Sequence, residues 1–429
     1  MSLNETMTAL ADAIREKTGR TDTLTLEEMA TAVADIEGGG DTGNEEAIIT
    51  KTLTSISNSN INHIGTYAFV YCSNLTAVDF PKCLSIKSYA FSGCSNLMTI
   101  SFPACQLIES NAFNYCSNLT AVDFPKCTTL QTNVFAYCTK LTTASLPQCN
   151  IISNYTFYSC LALTTVNIPN CTSIGSSAFY NCNSLAEISF SKCVSVGTYA
   201  FGLCSKLTTV NIPNCTHIGS SAFYGCKSLS TISLPNCSYI SAYGFAYCTS
   251  LIAVSFPNCT TLSSYAFAGC SNLSIVSLSA CQSIGNYAFS KCSNLATLYL
   301  QGSSLCSLQY STAFINTKIT TSTGSIFVRS SLVSNYKTAT NWTFFSRIIQ
   351  AYDDDVEITM NKFYLNGIEF EYDSSITTWK NFIDSSYNDG WFSYNNHCFY
   401  KGETIVSPEG NFVTTLNNII ENGEYSTIS

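Results

Sequence analysis

A phenylalanine returns every 22 residues: Phe69, Phe91, Phe113, Phe135, Phe157, Phe179, Phe201, Phe223, Phe245, Phe267 and Phe289 keep one period through eleven copies. A fixed period of this length marks a repeat architecture, in which each copy is one structural unit. Two cysteine series share the period, Cys72 to Cys292 just after each Phe and Cys83 to Cys281 eleven residues further on, and a leucine series runs from Leu75 to Leu295. Between them the pattern reads Leu-x-x-Val/Ile-x-Phe/Leu/Ile-x-x-Cys-x-x-Ile, as in Leu75, Val78, Phe80, Cys83 and Ile86. The alternation at Val78 and Phe80 predicts a short strand. One copy buries about six apolar side chains at roughly 2 kcal/mol each, while ordering its backbone costs roughly 1–2 kcal/mol per residue. A single copy therefore cannot fold. Stacking closes the deficit, because each strand pairs with that of the next copy and every periodic residue packs on its own images. The expected fold is a parallel solenoid; at about 4.8 Å per strand spacing, eleven coils make a rod on the order of 50 Å long.

Composition narrows the function. Charged residues make up 11% of the 429-residue chain, about half the usual share, and the net charge of −9 resides in acidic ends around a nearly neutral middle. Binding phosphate needs concentrated positive charge, and no Lys/Arg cluster occurs, which excludes nucleic acid and anionic membrane as partners. The first twenty residues show no basic segment leading into an apolar one, and no apolar run approaches a membrane span, so neither a signal peptide nor membrane insertion is expected. His63, His217 and His397 are scattered, and no nucleophile–base pair, paired-carboxylate cleft or phosphate loop stands out. We expect no catalysis, no cofactor and no metal.

The cysteines invite a disulfide or metal reading, but no His accompanies them and the Cys-x2-Cys spacing of zinc sites is absent. Within a coil, Cys72 and Cys83 fall at opposite ends of one strand. Copies in neighbouring coils come close, but with parallel Cβ vectors that strain a disulfide. Reduced structural thiols filling tight turns are expected, in keeping with assembly in a reducing compartment. Cys398 stands outside the series.

These residues carry a resemblance. The run Leu75 to Ile86 followed by Tyr89-Ala90-Phe91 and Cys94 is similar to the BspA-type leucine-rich repeat of bacterial surface proteins, over about residues 60–320. Pro81, Pro103, Pro125, Pro147, Pro169, Pro213, Pro235 and Pro257 follow the strand, where a missing N–H ends ladder pairing. The resemblance implies a right-handed leucine-rich-repeat solenoid. Its twelfth coil is stretched, since Cys281 to Cys306 and Phe289 to Phe314 are each 25 apart, and residues 325–348 resemble the segment that closes many such solenoids.

In such a repeat, the residues flanking the central strand aliphatic point to the concave face. Here they include Thr143, Thr165, Asn167, Thr209 and Asn211. They are neutral hydrogen-bonding groups, suited to sugar hydroxyls or serving only as strand-favouring filler. An ice-binding array is excluded because Glu187, Ile275 and Tyr299 break the columns. The chain also has 25 tyrosines, many on the turn opposite the strand, among them Tyr115, Tyr137, Tyr155, Tyr158, Tyr180 and Tyr199. Each combines a flat apolar ring with a polar tip, the chemistry that binding surfaces favour, or else shields the Phe series. These eleven side chains are the candidate ligand-binding residues.

The ends differ. Residues 1–37 hold two helical runs opened by capping boxes, Ser2-Leu3-Asn4-Glu5 and Thr25-Leu26-Glu27-Glu28, and form a small helical module. Residues 38–50 are an acidic, glycine-rich linker. Residues 51–349 form the solenoid, with its cap at about 320–349, and residues 350–429 read as a small β-rich domain. Asp353-Asp354-Asp355 lacks the spaced ligands of an EF-hand and reads as a solvated linker. Residues 11–36 resemble an N-terminal module of phage and prophage tail-related proteins of Gram-positive gut bacteria. Leu365-Asn366-Gly367 and residues 379–388 are similar to a short terminal domain of phage structural and adhesion proteins. The resemblance implies a tail-associated virion protein, made in the bacterial cytoplasm, that binds bacterial surface glycan or protein. Its terminal modules would meet other tail proteins, and homo-oligomeric assembly is implied. With no leader or wall anchor in view, a BspA-like cell-surface adhesin is the second expectation.

Overall fold

The computed structural model describes residues 53–321 and 323–352, together with the backbone of four short strands between 362 and 405. The expected helical module, its linker and most of the C-terminal segment lie outside the described residues. The four strands form two antiparallel pairs, Lys362–Leu365 with Ile368–Glu371 and Tyr400–Lys401 with Thr404–Ile405.

The described solenoid is built as the period requires. In the coil that begins at Ala77–Asp79, this three-residue strand places Val78 in the core and leaves its neighbours half-exposed. Phe80 follows into the core, and Pro81 opens a tight turn closed by the Cys83 N–H donating to Phe80 O at 3.1 Å. A second strand, Ser85–Ile86, then leads into a longer turn around Phe91. Both strands pair in parallel with their images 22 residues away: Val78 meets Ile56 and Ile100, and Ile86 meets Ile64 and Ile108. The second strand is too short to show alternation in the sequence.

The long turn uses its backbone in two directions. Tyr89, Phe91 and Gly93 donate N–H bonds up to Ser110, Ala112 and Asn114 of the next coil, while Ala90, Ser92 and Cys94 donate back to the residue three before. Every donor in the stretch is thereby satisfied, as buried backbone demands. Alternate residues on either side of Phe adopt the left-handed conformation to achieve this.

The Phe series stacks face to face from Phe69 to Phe314, centroids 5.1–5.6 Å apart and planes within 14°. With the Leu and Cys series it makes one continuous buried core. The first-strand ladder is interrupted after Thr99–Ser101, Thr165–Asn167 and Thr209–Asn211. At these rungs the central aliphatics Ile100, Val166 and Val210 are only partly buried, because the next rung no longer covers them fully.

The cap continues the sheet. Ser325–Arg329 pairs in parallel with Thr297–Leu300, and Ile349–Tyr352 pairs with Ser325–Arg329. Between them, helix Val333–Thr338 brings Tyr336 over the last coil, followed by Trp342. Cys306 has no coil above it, so its N–H donates to Tyr336 Oη at 2.9 Å and its carbonyl accepts from Trp342 Nε1 at 2.8 Å. The Asn341 amide donates to the carbonyls of Leu308 and Gln309. The cap thus supplies side-chain partners where the repeat would have supplied backbone.

Candidate binding surface

The tyrosines belong to the long turn. Two positions there are left-handed in every coil, two residues before and two after the Phe. The first holds Tyr67, Tyr89, Asn111, Asn133, Tyr155, Ser177, Tyr199, Ser221, Tyr243, Tyr265 and Tyr287; the second includes Tyr71, Gly93, Tyr115, Tyr137, Gly225, Tyr247 and Gly269. Positive φ disfavours a bulky L-residue and is easiest for Gly and Asn, which explains their appearance among the tyrosines. Tyr158, Tyr180 and Tyr224 follow the Phe directly, at a position of ordinary backbone.

Ring contacts join these side chains into a ribbon. Tyr115 stacks on Tyr137 at 4.4 Å, and the chain of contacts continues through Tyr158, Tyr180, Tyr199 and Tyr224 to Tyr247, with Tyr155 touching Tyr158. All six tyrosines singled out in the sequence therefore fall in one assembly. Tyr224 and Tyr247 complete it. Parallel groups, Tyr67 with Tyr89 and Tyr243 with Tyr265 and Tyr287, stack beside it.

Glycines make room. A Cβ at Gly93 would fall on the Tyr71 ring, one at Gly269 would lie 2.7 Å from the Tyr247 ring, and one at Gly202 2.9 Å from Tyr180. The alternation of Tyr and Gly one coil apart was the sequence signal for these cradles. The flat faces expected of every tyrosine are not all open, however. Stacked pairs cover each other, Tyr115 with Tyr137 and Tyr243 with Tyr265. Burial by neighbours, then the adjoining phenol, raises Tyr115 and Tyr243 above their ordinary pKa, so their hydroxyls keep their protons.

The strand-face candidates lie apart from the ribbon, on the first strands. Thr143 and Thr165 are exposed and paired across adjacent rungs, and Asn167 opposes Ser145. Thr209 is half-buried, and Asn211 spends its amide on Ser189 Oγ at 2.9 Å. These residues are divided between two sheets. The same face carries a shallow depression of about 480 Å³ over Ser55–Ser57, Ala77–Asp79 and Thr99–Ser101, where Ser57 donates to Asp79. Ala77, Asp79, Thr99 and Ser101 belong to the concave-face series that the repeat pattern predicts, but nothing in that pattern singles out these coils.

All 22 cysteines from Cys72 to Cys306 are buried free thiols. From Cys94 to Cys292, the turn series donates Sγ–H to the Phe carbonyl 25 residues earlier, at 3.0–3.3 Å. The other series mostly donates to the carbonyl two residues on, as Cys83 does to Ser85. Burial pushes most of these thiols up, Cys237 to about 11 and Cys204 to about 12. They are core side chains with a defined hydrogen bond. Among the described residues, no group of three or more His, Cys, Asp or Glu is placed to hold a metal, and no helix is long and apolar enough to cross a membrane.

A stack of short parallel strands with a Leu, Phe and Cys core is a leucine-rich-repeat solenoid, here with an aromatic ribbon along its long turns. The family model "BspA type Leucine rich repeat region (6 copies)" matches residues 46–151, 150–274 and 216–339, and the chain belongs to that family. No curated protein matches it. Among solved structures, a leucine rich cell surface protein from Faecalibacterium prausnitzii is 22% identical, with 59% of this chain and 80% of that chain covered and a TM-score of 0.34. A leucine-rich repeat protein from Bacteroides ovatus is 23% identical, covering 58% and 79% at a TM-score of 0.36. One from Eubacterium ventriosum is 22% identical, covering 66% and 80% at 0.37.

Proposed function

We propose that the chain is a non-enzymatic binding scaffold of the bacterial cell surface, a BspA-like adhesin that holds its tyrosine ribbon out to a surface glycan or protein. The observation that carries this reading is the ribbon. A side chain the fold required would recur in every coil, yet the tyrosines stand where other coils hold Asn, Ser or Gly. They are kept in several left-handed positions that disfavour so large a residue. Family membership supports a binding role and favours the adhesin over the tail-associated reading, which the sequence alone placed first.

The tail-associated reading keeps one specific support, the likeness of residues 11–36 and 379–388 to phage modules, and both segments lie outside the described residues. It would place the chain in the virion, with its ends on other tail proteins. Immunogold electron microscopy with antibody against residues 350–429, on cultures of the source bacterium before and after prophage induction, separates the two. Gold on intact envelopes with bare particles is expected. Gold on tail tips would transfer the scaffold to the virion, and gold confined to the cell interior would overturn both locations.

A further inference from the structure

We propose that the C-terminal part of the ribbon, from Tyr158 to Tyr247, is a track for one chain of a neutral polysaccharide, an inference that rests on the reading of this protein as a binding scaffold. Four observations select that occupant.

The first is ring orientation. Tyr180 and Tyr199 meet at 78°, Tyr199 and Tyr224 at 62°, and Tyr224 and Tyr247 at 67°. Edge-on contacts leave Tyr199 and Tyr224 without a stacked neighbour, whereas Tyr158 and Tyr180 lie within 12° of parallel and Tyr115 and Tyr137 within 3°, so that each of those pairs covers one face of each ring. An uncovered aromatic face beside phenol hydroxyls suits a sugar, which has an apolar C–H face and a rim of hydroxyls.

The second is charge. The seven turns from residues 131–138 to 263–270 contain no charged residue. The nearest lysines stand beyond the cysteine, and Lys140 donates to Asn118 Oδ1 at 2.6 Å. Nothing in the ribbon selects an anionic polymer, which would call for clustered cations.

The third is the backbone. An extended peptide binds largely through main-chain hydrogen bonds. Here the N–H groups are spent: Tyr137 donates to Tyr158 O, Tyr199 to Ser220 O, Tyr247 to Ala268 O and Tyr224 to Ser221 O. Only rings and hydroxyls remain to be recognised.

The fourth is shape. The track is narrow and, from Tyr158 to Tyr247, crosses four strand spacings, roughly 20 Å. Successive rings lie 5.1–6.4 Å apart, close to the length of one sugar unit in an extended chain. A folded protein partner calls for a broader patch, on the order of 800 Å² per side.

The test is affinity electrophoresis of the full chain through native gels containing mixed-linkage β-glucan, galactomannan or glycogen, with alginate as the anionic counterpart. The triple variant Tyr180→Ala, Tyr199→Asn, Tyr224→Ala installs residues that Ala136, Asn133 and Ala246 already place at the same positions of other coils, so thermal melting should match the wild type. The double variant Tyr243→Asn, Tyr265→Asn removes a stacked pair instead. At least one neutral polysaccharide should retard the wild type and the double variant, and the triple variant should bind it about tenfold more weakly. Equal retardation of the triple variant, or retardation by alginate alone, would overturn the proposal. A chain that binds bacterial cells but none of the three neutral polysaccharides would also overturn it and leave the scaffold reading standing, whereas one that binds neither would refute both.

Discussion

Cys182 sits wholly inside the solenoid and donates its thiol hydrogen to Phe157 O at 3.2 Å, as its images do along the turn series. A buried thiol with this bond resists ionisation. Burial lifts most of the thiols above the ordinary value of 9, Cys237 to about 11 and Cys204 and Cys215 to about 12. Above pH 9 the unfolded chain gives up thiol protons that the folded chain keeps, so the unfolded state binds fewer protons and stability falls as pH rises. The contribution is complete below pH 9 and is lost as pH climbs through the folded values. We expect the urea midpoint to stay level from pH 7 to 8.5 and to drop at pH 10. Thiol reagents should meanwhile leave the folded solenoid unlabelled at pH 8 and titrate its cysteines in denaturant. An unchanged midpoint at pH 10, or a majority of oxidised cysteines in fresh protein, would contradict the ladder of free thiols.

At the scale of the coil, the Phe stack carries the largest buried surfaces. Phe179 lies between Phe157 and Phe201, each about 5.2 Å away, and is fully buried. Phe179→Ala should cost about 3–5 kcal/mol by chemical denaturation, since the coils above and below fix the cavity and limit collapse. A loss under about 1 kcal/mol would mean that the stack is loosely packed. This much was legible in the sequence, because a side chain repeated every 22 residues on a stacked fold must meet its own image. The second strand was not, since Ser85–Ile86 has no room to alternate. Left-handed turns were half-visible: Gly93 and Asn111 are their usual occupants, but the tyrosines at the same positions read only as binding residues or as a shield for the Phe series. Nor could periodicity foretell that Tyr115 and Tyr137 would hide each other's faces while Tyr199 and Tyr224 meet edge-on, because ring tilt depends on which turn position each tyrosine occupies. The cap was recognisable as a segment, but its work was not: Trp342 and Tyr336 replace the backbone partners that Cys306 lacks.

Across the whole molecule, the interior is uniform and the long-turn edge is not. Nearest-neighbour stacking makes each coil's contribution similar, so stability rests on the repeated Leu, Phe and Cys positions. The ribbon lies outside that requirement, and the role proposed for its tyrosines is recognition. A chain whose ribbon tyrosines are all exchanged for residues found at the same turn positions elsewhere, Asn at Tyr155 and Tyr199, Gly at Tyr115, Tyr137 and Tyr247, and Ala at Tyr158, Tyr180 and Tyr224, separates the two roles directly. The decisive measurement is the binding of this chain and of the wild type to whole bacterial cells, read beside their melting curves. A recognition role for the ribbon predicts matching cooperative melts and loss of cell binding in the exchanged chain. Undiminished binding by a folded, ribbon-free solenoid would contradict it.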